Sequence, residues 1–180
     1  MKGPIFFNSK NMQAMNTLLI HELEFRLIES GIHRIIKCLE KLSEEQIQYR
    51  PNSNSNSINN QILHLDGNVR QWLIATFTNT TDTRERDTEF DSKNQKGRID
   101  LIEIMRKLEV DVRSVFPLIN EADLTEIKKV QCYSETQFSI IVHVIEHFSY
   151  HLGQITYITK MLLDIDTGYY LGDELNKISE

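Results

Sequence analysis

The longest helical pattern in the chain reads SETQFSIIVHVIEHFSYHLGQITYITKMLLD and covers residues 134–164. Apolar residues recur in it at intervals of three and four, the spacing that places side chains on one face of an α-helix. The predicted core face consists of Phe138, Ile141, Ile145, Phe148, Leu152, Ile155 and Leu162. Ser134 followed three residues later by Gln137 is typical of a capping box at a helix start. We therefore predict one long helix over residues 134–164, with one face in the core.

Three histidines lie four residues apart in this helix: His143, His147 and His151. On ideal helix geometry, residues four apart are separated by about 6 Å along the axis, and His143 and His151 by about 12 Å. Two nitrogens that each lie about 2.1 Å from one metal ion cannot be that far apart. Only neighbouring histidines can therefore share an ion, and His147 belongs to either pair.

The direction of each pair on the helix ranks the two pairs. The pair His147 and His151 points with a second apolar strip, made of Ile140, Val144, Ile158 and Leu162. The pair His143 and His147 points in a more polar direction, that of Tyr150, Gln154 and Met161. A single histidine beside an apolar strip is usually a hydrogen-bonded core residue. Because several buried imidazoles without partners are costly, two on one strip favour a shared metal, and we favour His147 with His151 over His143.

Composition and charge exclude several classes of protein. A chain of 180 residues with 40% hydrophobic residues is long enough for one domain with a sizeable core, residues 1–180. A net charge of −6 without a basic cluster argues against binding of nucleic acid or of anionic membranes. No apolar run could span a bilayer, and the first ten residues do not resemble a secretion signal. We predict a cytoplasmic protein in which Cys38 and Cys132 are reduced thiols.

Residues 11–42 predict the first of three further helices. Its core stripe consists of Leu18, Phe25, Ile28, Ile32, Ile35, Leu39 and Leu42. His21 falls in the same register, so we expect a histidine bonded to a partner in the core or at the end of the bundle, with a place in the interior near a metal as the alternative. His33 falls off the stripe and is predicted to lie on the surface.

The second helix follows a Pro/Asn/Ser loop whose last residue, Ser57, is a fitting N-cap. Its core stripe consists of Ile58, Ile62, Leu65, Val69, Trp72 and Thr76. A polar strip of Gln61, His64 and Asn68 runs along one edge, where a solvent-exposed face usually begins. A metal site with only two imidazoles is incomplete, since transition metals in proteins typically take three or four protein ligands. His64 is therefore the candidate third ligand.

Residues 79–97, NTTDTRERDTEFDSKNQKG, contain hardly any apolar side chains and predict a long connection. A connection of that length allows a crossover between helices that run parallel. The third helix is predicted from Leu101, Met105, Leu108, Val112, Val115 and Ile119. Residues 121–133 suggest an extended piece, Gly168 a C-cap, and residues 169–171 a tail that folds back. The predicted fold is an all-α four-helix bundle with a long crossover connection between helices 2 and 3.

A competing metal motif overlaps the histidines of the last helix. Residues 143–147, HVIEH, match H-x-x-E-H, which in inverzincin metalloproteases provides two zinc ligands and a catalytic glutamate. We rank this motif second, because five-residue patterns arise easily on a histidine-rich helix and the chain lacks the strands of those proteases. The paired Glu-x-x-His motifs of a di-iron site are absent, as are nucleotide-binding and redox motifs.

Two segments resemble the DinB/YfiT-like superfamily of small bundle metalloproteins: HLDGNVRQW at residues 64–72 and HVIEHFSYHLGQITYITK at residues 143–160. The resemblance is closest to a bacterial branch of unknown function that shares EHFSYHxGQI and NSI…HLxGN, and it covers nearly the whole chain. It implies a divalent metal, zinc or nickel, held by His64, His147 and His151. It also implies a pocket role for His143.

Three imidazoles leave a coordination position open, which suits a metal that activates water or a thiol. Some members of the superfamily that the chain resembles are thiol S-transferases or metal-dependent isomerases and hydrolases. Together with the open position, the resemblance implies a metal-dependent hydrolase or thiol S-transferase that acts on a small molecule. Glu146 lies about 100° around the helix from His147, so a surface or inter-helix contact is expected rather than general-base catalysis. The alternative is a non-catalytic metal-bound bundle that serves as a dimerisation or binding module. Trp72, the tail tyrosines and the apolar last helix suggest a homodimer.

Overall fold

The computed structural model describes residues 9–91 and 93–178, and these residues form a mostly helical protein with one small sheet. Each of the first two long helices contains a π-helical segment, with about one extra residue per turn. The four long helices comprise Ser9–Leu23, Glu24–Ile32 (π) and His33–Lys41; Ile58–Val69, Arg70–Ile74 (π) and Ala75–Thr78; Arg98–Val115; and Gln137–Leu163.

Short elements connect the long helices. They are one α-helical turn, Glu44–Gln48, three 3₁₀ segments, Arg86–Phe90, Phe116–Leu118 and Glu121–Asp123, and two strands, β1 Ile127–Val130 and β2 Tyr133–Thr136. The strands form an antiparallel hairpin in which Ile127 is opposite Thr136. The extended piece predicted before the last helix is thus one arm of this hairpin, and Cys132 lies in its turn. Cys38 and Cys132 are free thiols, as predicted.

The second and third long helices run parallel, as the long connection predicts. Near the start of the second helix, Asn59 donates to the carbonyl of Asn94 at 3.3 Å and accepts from the amide of Lys96 at 3.0 Å. The connection therefore returns to that end before the third helix begins. Further along both helices, Arg70 of the second pairs with Asp111 of the third at 2.6 Å. Corresponding positions along the two helices are adjacent, which requires parallel directions.

Two other helix pairs run antiparallel. His33 of the first helix lies 3.1 Å from Glu109 of the third, and Glu24, earlier in the first helix, pairs with Arg113, later in the third. His33 is exposed, as predicted. The second helix likewise runs antiparallel to the last, since two ring contacts between them occur in reversed order, His64 with His147 and Trp72 with His143. This arrangement is compatible with a four-helix bundle.

All six residues of the apolar stripe predicted for the third helix are buried, although the helix ends at Val115 and Ile119 lies beyond it. In the second helix, five of the six predicted core residues are buried and Thr76 is partly buried. Leu73, within the π-helical segment, and Phe77, beyond it, are also buried. In the second and third helices, the apolar stripes predicted from the sequence therefore form the core.

The first helix departs from its predicted stripe in its N-terminal half. Leu18, His21 and Phe25 are exposed, whereas Leu23 and Leu27 are fully buried. The π-helical segment causes this difference, because one extra residue in the turn rotates everything before it relative to the later part of the helix. The expectation that His21 lies in the core is therefore wrong.

The ends of the last helix differ from the predicted ones. Ser134 lies in β2, and the helix is capped by Thr136, whose hydroxyl accepts from the amide of Ser139 at 3.1 Å. At the other end, Asp164 adopts a left-handed conformation with φ 51° and ends the helix in place of Gly168. Between these ends, three residues of the second apolar strip are buried: Ile140, Val144 and Ile158. Phe138, which was predicted to lie on the core face, is exposed.

Part of the C-terminal tail folds back onto the helices. The Tyr169 hydroxyl lies 2.9 Å from Cys38 Sγ of the first helix and 2.9 Å from Thr156 Oγ1 of the last. Burial and the nearby Cys38 thiol raise the pKa of Tyr169. Tyr170 is partly exposed but also folds back, since its hydroxyl accepts from Arg34 at 3.4 Å and the guanidinium lies 5.0 Å from its ring. Leu171 is exposed. In the part of the chain described, none of the helices has both the length and the apolar character needed to traverse a membrane.

We predict that Gly31→Ala destabilises the protein by about 1–3 kcal/mol, the usual cost of overpacking. A Cβ at Gly31 would stand 2.7 Å from the Phe148 ring and 2.8 Å from the carbonyl of Arg26. Gly153→Ala is the matched control: among the described residues, nothing beyond its chain neighbours and the backbone of its own helix lies within 4 Å of the added Cβ, so the variant should gain about 0.5–1 kcal/mol of helix stability. Urea denaturation of both variants measures the difference, and equal stability of the two would contradict the close helix contact.

Candidate metal centre

Three histidines of two antiparallel helices come together: His64 of the second helix, and His147 and His151 of the last. His64 Nε2 lies 3.0 Å from His147 Nε2. One nitrogen from each ring can be chosen so that all three lie within 4.8 Å of one another. The structure thus gathers the three residues that the sequence and the resemblance single out.

The local sequence explains how each side chain reaches this point. Ser57 caps the second helix in a capping box with Asn60, so His64 lies two turns into a well-defined helix. His147 and His151 are four residues apart in the last helix and project from neighbouring turns towards His64. His64 is 7% exposed and His151 8% exposed, while His147 is half-buried. The cluster is therefore largely shielded from water.

His143 lies beside the cluster without joining it. Its ring stacks on the indole of Trp72 with centroids 3.9 Å apart and on His147 with centroids 5.4 Å apart. The rings of His143 and His147 are inclined by only 19°, so stacked faces rather than converging nitrogens connect them. Glu146 is exposed, as expected. The geometry therefore favours the pair His147 and His151 over the H-x-x-E-H reading.

Sequence reasoning missed a buried carboxylate that contacts the cluster. Glu89 belongs to the long connection, is 6% exposed, and places Oε2 at 2.9 Å from His64 Nδ1. Arg84 donates to both oxygens of this carboxylate, at 2.6 Å and 2.9 Å. The polar and charged composition of residues 79–97 predicted only a loop, and nothing in that stretch alone indicates which acidic residue is buried.

The hydrogen bond between His64 Nδ1 and Glu89 fixes the tautomer of His64. Burial would raise the pKa of Glu89, but hydrogen bonds from Arg84 and His64 outweigh burial and lower it. An ionised carboxylate only accepts hydrogen bonds, so His64 Nδ1 carries the proton that it donates to Glu89. Arg84 Nη2 also lies 3.1 Å from Nδ1, but it has a better acceptor in Glu89. With its Nδ1–H bonded to Glu89, His64 turns Nε2 towards His147, 3.0 Å away.

The surroundings favour the neutral forms of three histidines of the last helix, His143, His147 and His151. Burial, reinforced by the neighbouring imidazoles, lowers the pKa of His147 to about 3. Burial and the proximity of His64 lower the pKa of His151 to about 4. Burial lowers the pKa of His143 as well, against the opposing effect of Glu146 and Glu135. Metal ions bind deprotonated imidazole, so at neutral pH the ring nitrogens are ready ligands.

The donor set fits a divalent transition metal. Two imidazole nitrogens bound to one tetrahedral zinc ion are about 3.4 Å apart, close to the 3.0 Å between His64 and His147. The buried Nδ1 of His151 has no hydrogen-bond partner within the described part of the protein. An orphaned buried imidazole nitrogen is costly unless something binds the ring. The cluster could therefore hold a metal ion.

Two cavities reach the cluster from different sides. The first, of about 490 Å³, is lined by His64 and His147 together with Asn68, Trp72, Arg84 and His143. The second, of about 480 Å³, is lined by His151 and Gln61 and by exposed residues of the last helix such as Tyr157. A volume of this size suits a small molecule. The first cavity is therefore the candidate substrate pocket, because two of the three histidines face it.

We predict that the metal-free protein loses stability as the pH falls from about 6.5 to about 4.5. His147 and His151 have lower pKa values in the folded state than the usual 6.5. The unfolded chain therefore binds more protons in this range, and stability present above pH 6.5 is lost on acidification. Carboxylates titrate mostly below the range. Urea titrations of chelator-treated protein test this, and His151→Gln should flatten the dependence.

No curated protein matches the chain. A family model described as "Protein of unknown function (DUF1572)" matches residues 18–168, which include both long segments that carry the histidines. The match extends over most of the chain, and the protein belongs to the DUF1572 family.

Proposed function

We propose that the protein is a divalent-metal-dependent enzyme, a hydrolase or a thiol S-transferase, that acts on a small molecule. His64, His147 and His151 are the ligands in this proposal, and zinc or nickel is the metal. The observation that carries it is the convergence of three imidazoles from two helices beside a cavity of about 490 Å³. The proposal extends the DUF1572 family assignment, which by itself implies no activity.

The residues around the cluster supply binding and orientation. When bound, a divalent ion would lower the pKa of a water or thiol at its open coordination position. His64 is oriented by Glu89, which leaves its Nε2 free for that ion. Trp72 and His143 form a stacked aromatic wall of the first cavity, on which a planar part of a substrate can pack. Arg84 closes another side of the cavity and is held in place by Glu89 and Gln71.

A non-catalytic metal-bound bundle is the alternative. Structural zinc sites usually have four protein ligands, whereas catalytic sites have three and keep one position open. Within the described residues, the cluster contains three histidines and no fourth histidine, cysteine or carboxylate. The cavity beside the cluster gives a substrate room to reach an open position. These two observations support the enzyme over a binding module.

We further propose that the fold is a four-helix bundle of the DinB/YfiT-like superfamily. The parallel course of the second and third helices and the long connection between them support this assignment. The three clustered histidines also occupy the positions that the resemblance implies. The proposed metal and superfamily thus rest on the same two segments, residues 64–72 and 143–160.

A homodimer also remains a proposal. Trp72 is buried and cannot contribute to a dimer surface, contrary to our expectation. Tyr150, Tyr157 and Met161 are exposed on the last helix and Tyr170 on the tail, which supports an apolar contact between copies. Sedimentation velocity tests the proposal, and a pure monomer at high concentration would remove it.

We predict that His64→Ala, His147→Ala and His151→Ala each lose the metal. A variant with two of the three ligands holds the ion far more weakly, while His143→Ala, outside the cluster, should keep most of it. The metal content of untagged protein, measured by mass spectrometry after dialysis, is the readout. The H-x-x-E-H reading makes the opposite prediction, with His143 required and His151 dispensable.

The open coordination position is tested with cobalt-substituted protein. We expect azide or a small thiol to change the visible absorption spectrum, because an exogenous ligand enters the coordination sphere when a position is open. His143→Ala serves as a control that retains the metal. A spectrum insensitive to both ligands would favour the non-catalytic alternative.

A further inference from the structure

We infer that Glu89, clamped by Arg84, is a positioning residue that fixes the tautomer and orientation of His64. The long connection would thereby be a functional part of the metal centre rather than a spacer between helices. This inference rests on the proposed function for its effect on metal binding. Its effect on the His64 ring concerns the metal-free protein as well, and the two can be measured separately.

The contact between His64 and Glu89 is direct and buried. His64 Nδ1 and Glu89 Oε2 are 2.9 Å apart, and both residues are less than 10% exposed. A histidine that binds a metal through one nitrogen commonly donates its other N–H to a carboxylate, which orients the ring and makes the ligand more basic. Nε2 of His64 faces His147, so the two nitrogens of the ring are divided between the cluster and the carboxylate.

Arg84 keeps the carboxylate ionised and in place. Its guanidinium makes two hydrogen bonds to the two oxygens of Glu89, the geometry that most restricts a carboxylate. The same guanidinium donates to Gln71 Oε1 of the second helix at 2.9 Å. Gln71 in turn accepts from Gln131 of the hairpin turn at 2.6 Å. The clamp is therefore anchored on two other parts of the protein.

The second helix is shaped to receive this pair. Gly67, one turn after His64, leaves the space that Glu89 and Arg84 occupy: a Cβ there would collide with Glu89 Oε1 and lie 2.9 Å from Arg84 Nε. Asn60, one turn before His64, donates to the backbone carbonyl of Glu89 at 3.0 Å. The two contacts fix the connection on either side of His64. A glycine is thus required in the helix by the close approach of the connection.

The first test uses the unmodified protein without metal. Long-range ¹H–¹⁵N spectra of histidine rings distinguish the tautomer protonated on Nδ1 from the one protonated on Nε2. We expect His64 to be protonated on Nδ1 at neutral pH, with the resonance identified by its loss in His64→Gln. A His64 ring protonated on Nε2 overturns the inference, whatever the protein does with metal ions.

The second test compares two double variants that avoid an unpaired buried charge. Arg84→Met/Glu89→Gln removes both charges but keeps an amide oxygen that can accept from His64. Arg84→Met/Glu89→Leu removes the charges and the acceptor. Replacing a buried ion pair by neutral side chains of similar volume is often tolerated. Circular dichroism and thermal denaturation establish that both variants fold before they are compared.

We expect the leucine variant to shift His64 towards the Nε2-protonated tautomer and to bind zinc 10- to 100-fold more weakly than the glutamine variant, the usual effect of losing a partner behind a metal-bound histidine. Glu85→Gln, an exposed acid on the same connection, is the charge control and should bind like the wild type. Equal tautomers and equal affinities in the two double variants overturn the inference. If no variant and no wild-type protein binds zinc, the proposed function fails, and the tautomer comparison alone decides the role of Glu89.

Discussion

The site depends on the antiparallel packing of the second and last long helices. Because their directions are opposite, an i, i+4 pair on one helix can converge on a single side chain of the other. His64 meets His147 and His151 in this way, and Trp72 meets His143 one step further along. A shift of either helix by one turn would change which side chains of the last helix face His64. The tight contact of Gly31 with Phe148 holds the last helix against the first as well, which limits such a shift.

Much of the fold follows from local periodicity. The third helix is regular, and its six-residue stripe is buried as the spacing indicates. The His147 and His151 pair also follows from spacing, because both residues lie on one helix. His64 needed a further argument from ligand number and a resemblance, since the contact joins residues far apart in the chain. Sequence reasoning failed for His21, because a π-helical segment leaves no trace in a count of threes and fours.

The buried part of the long connection is the largest feature that the sequence did not indicate. Glu89 and Arg84 lie in a stretch whose composition is that of a solvated loop, and their burial depends on the path of the chain across the second helix. The only local trace is Gly67, a helix-breaking residue inside a helical pattern. A glycine in mid-helix can indicate that another part of the backbone or a long side chain packs closely there. Here the absence of a side chain at Gly67 leaves a space, and the ion pair of Arg84 and Glu89 occupies it.

The π-helical segment of the first helix has a consequence for the number of imidazoles in the interior. It acts as a phase shift between two halves of one helix, and the half before it is rotated outwards. Uniform α-helical winding of the same residues would turn the face of His21 inwards, as the apolar spacing of the sequence predicts. The winding of one segment of the first helix, rather than a substitution, therefore separates an interior with three clustered histidines from one with a fourth histidine facing the core.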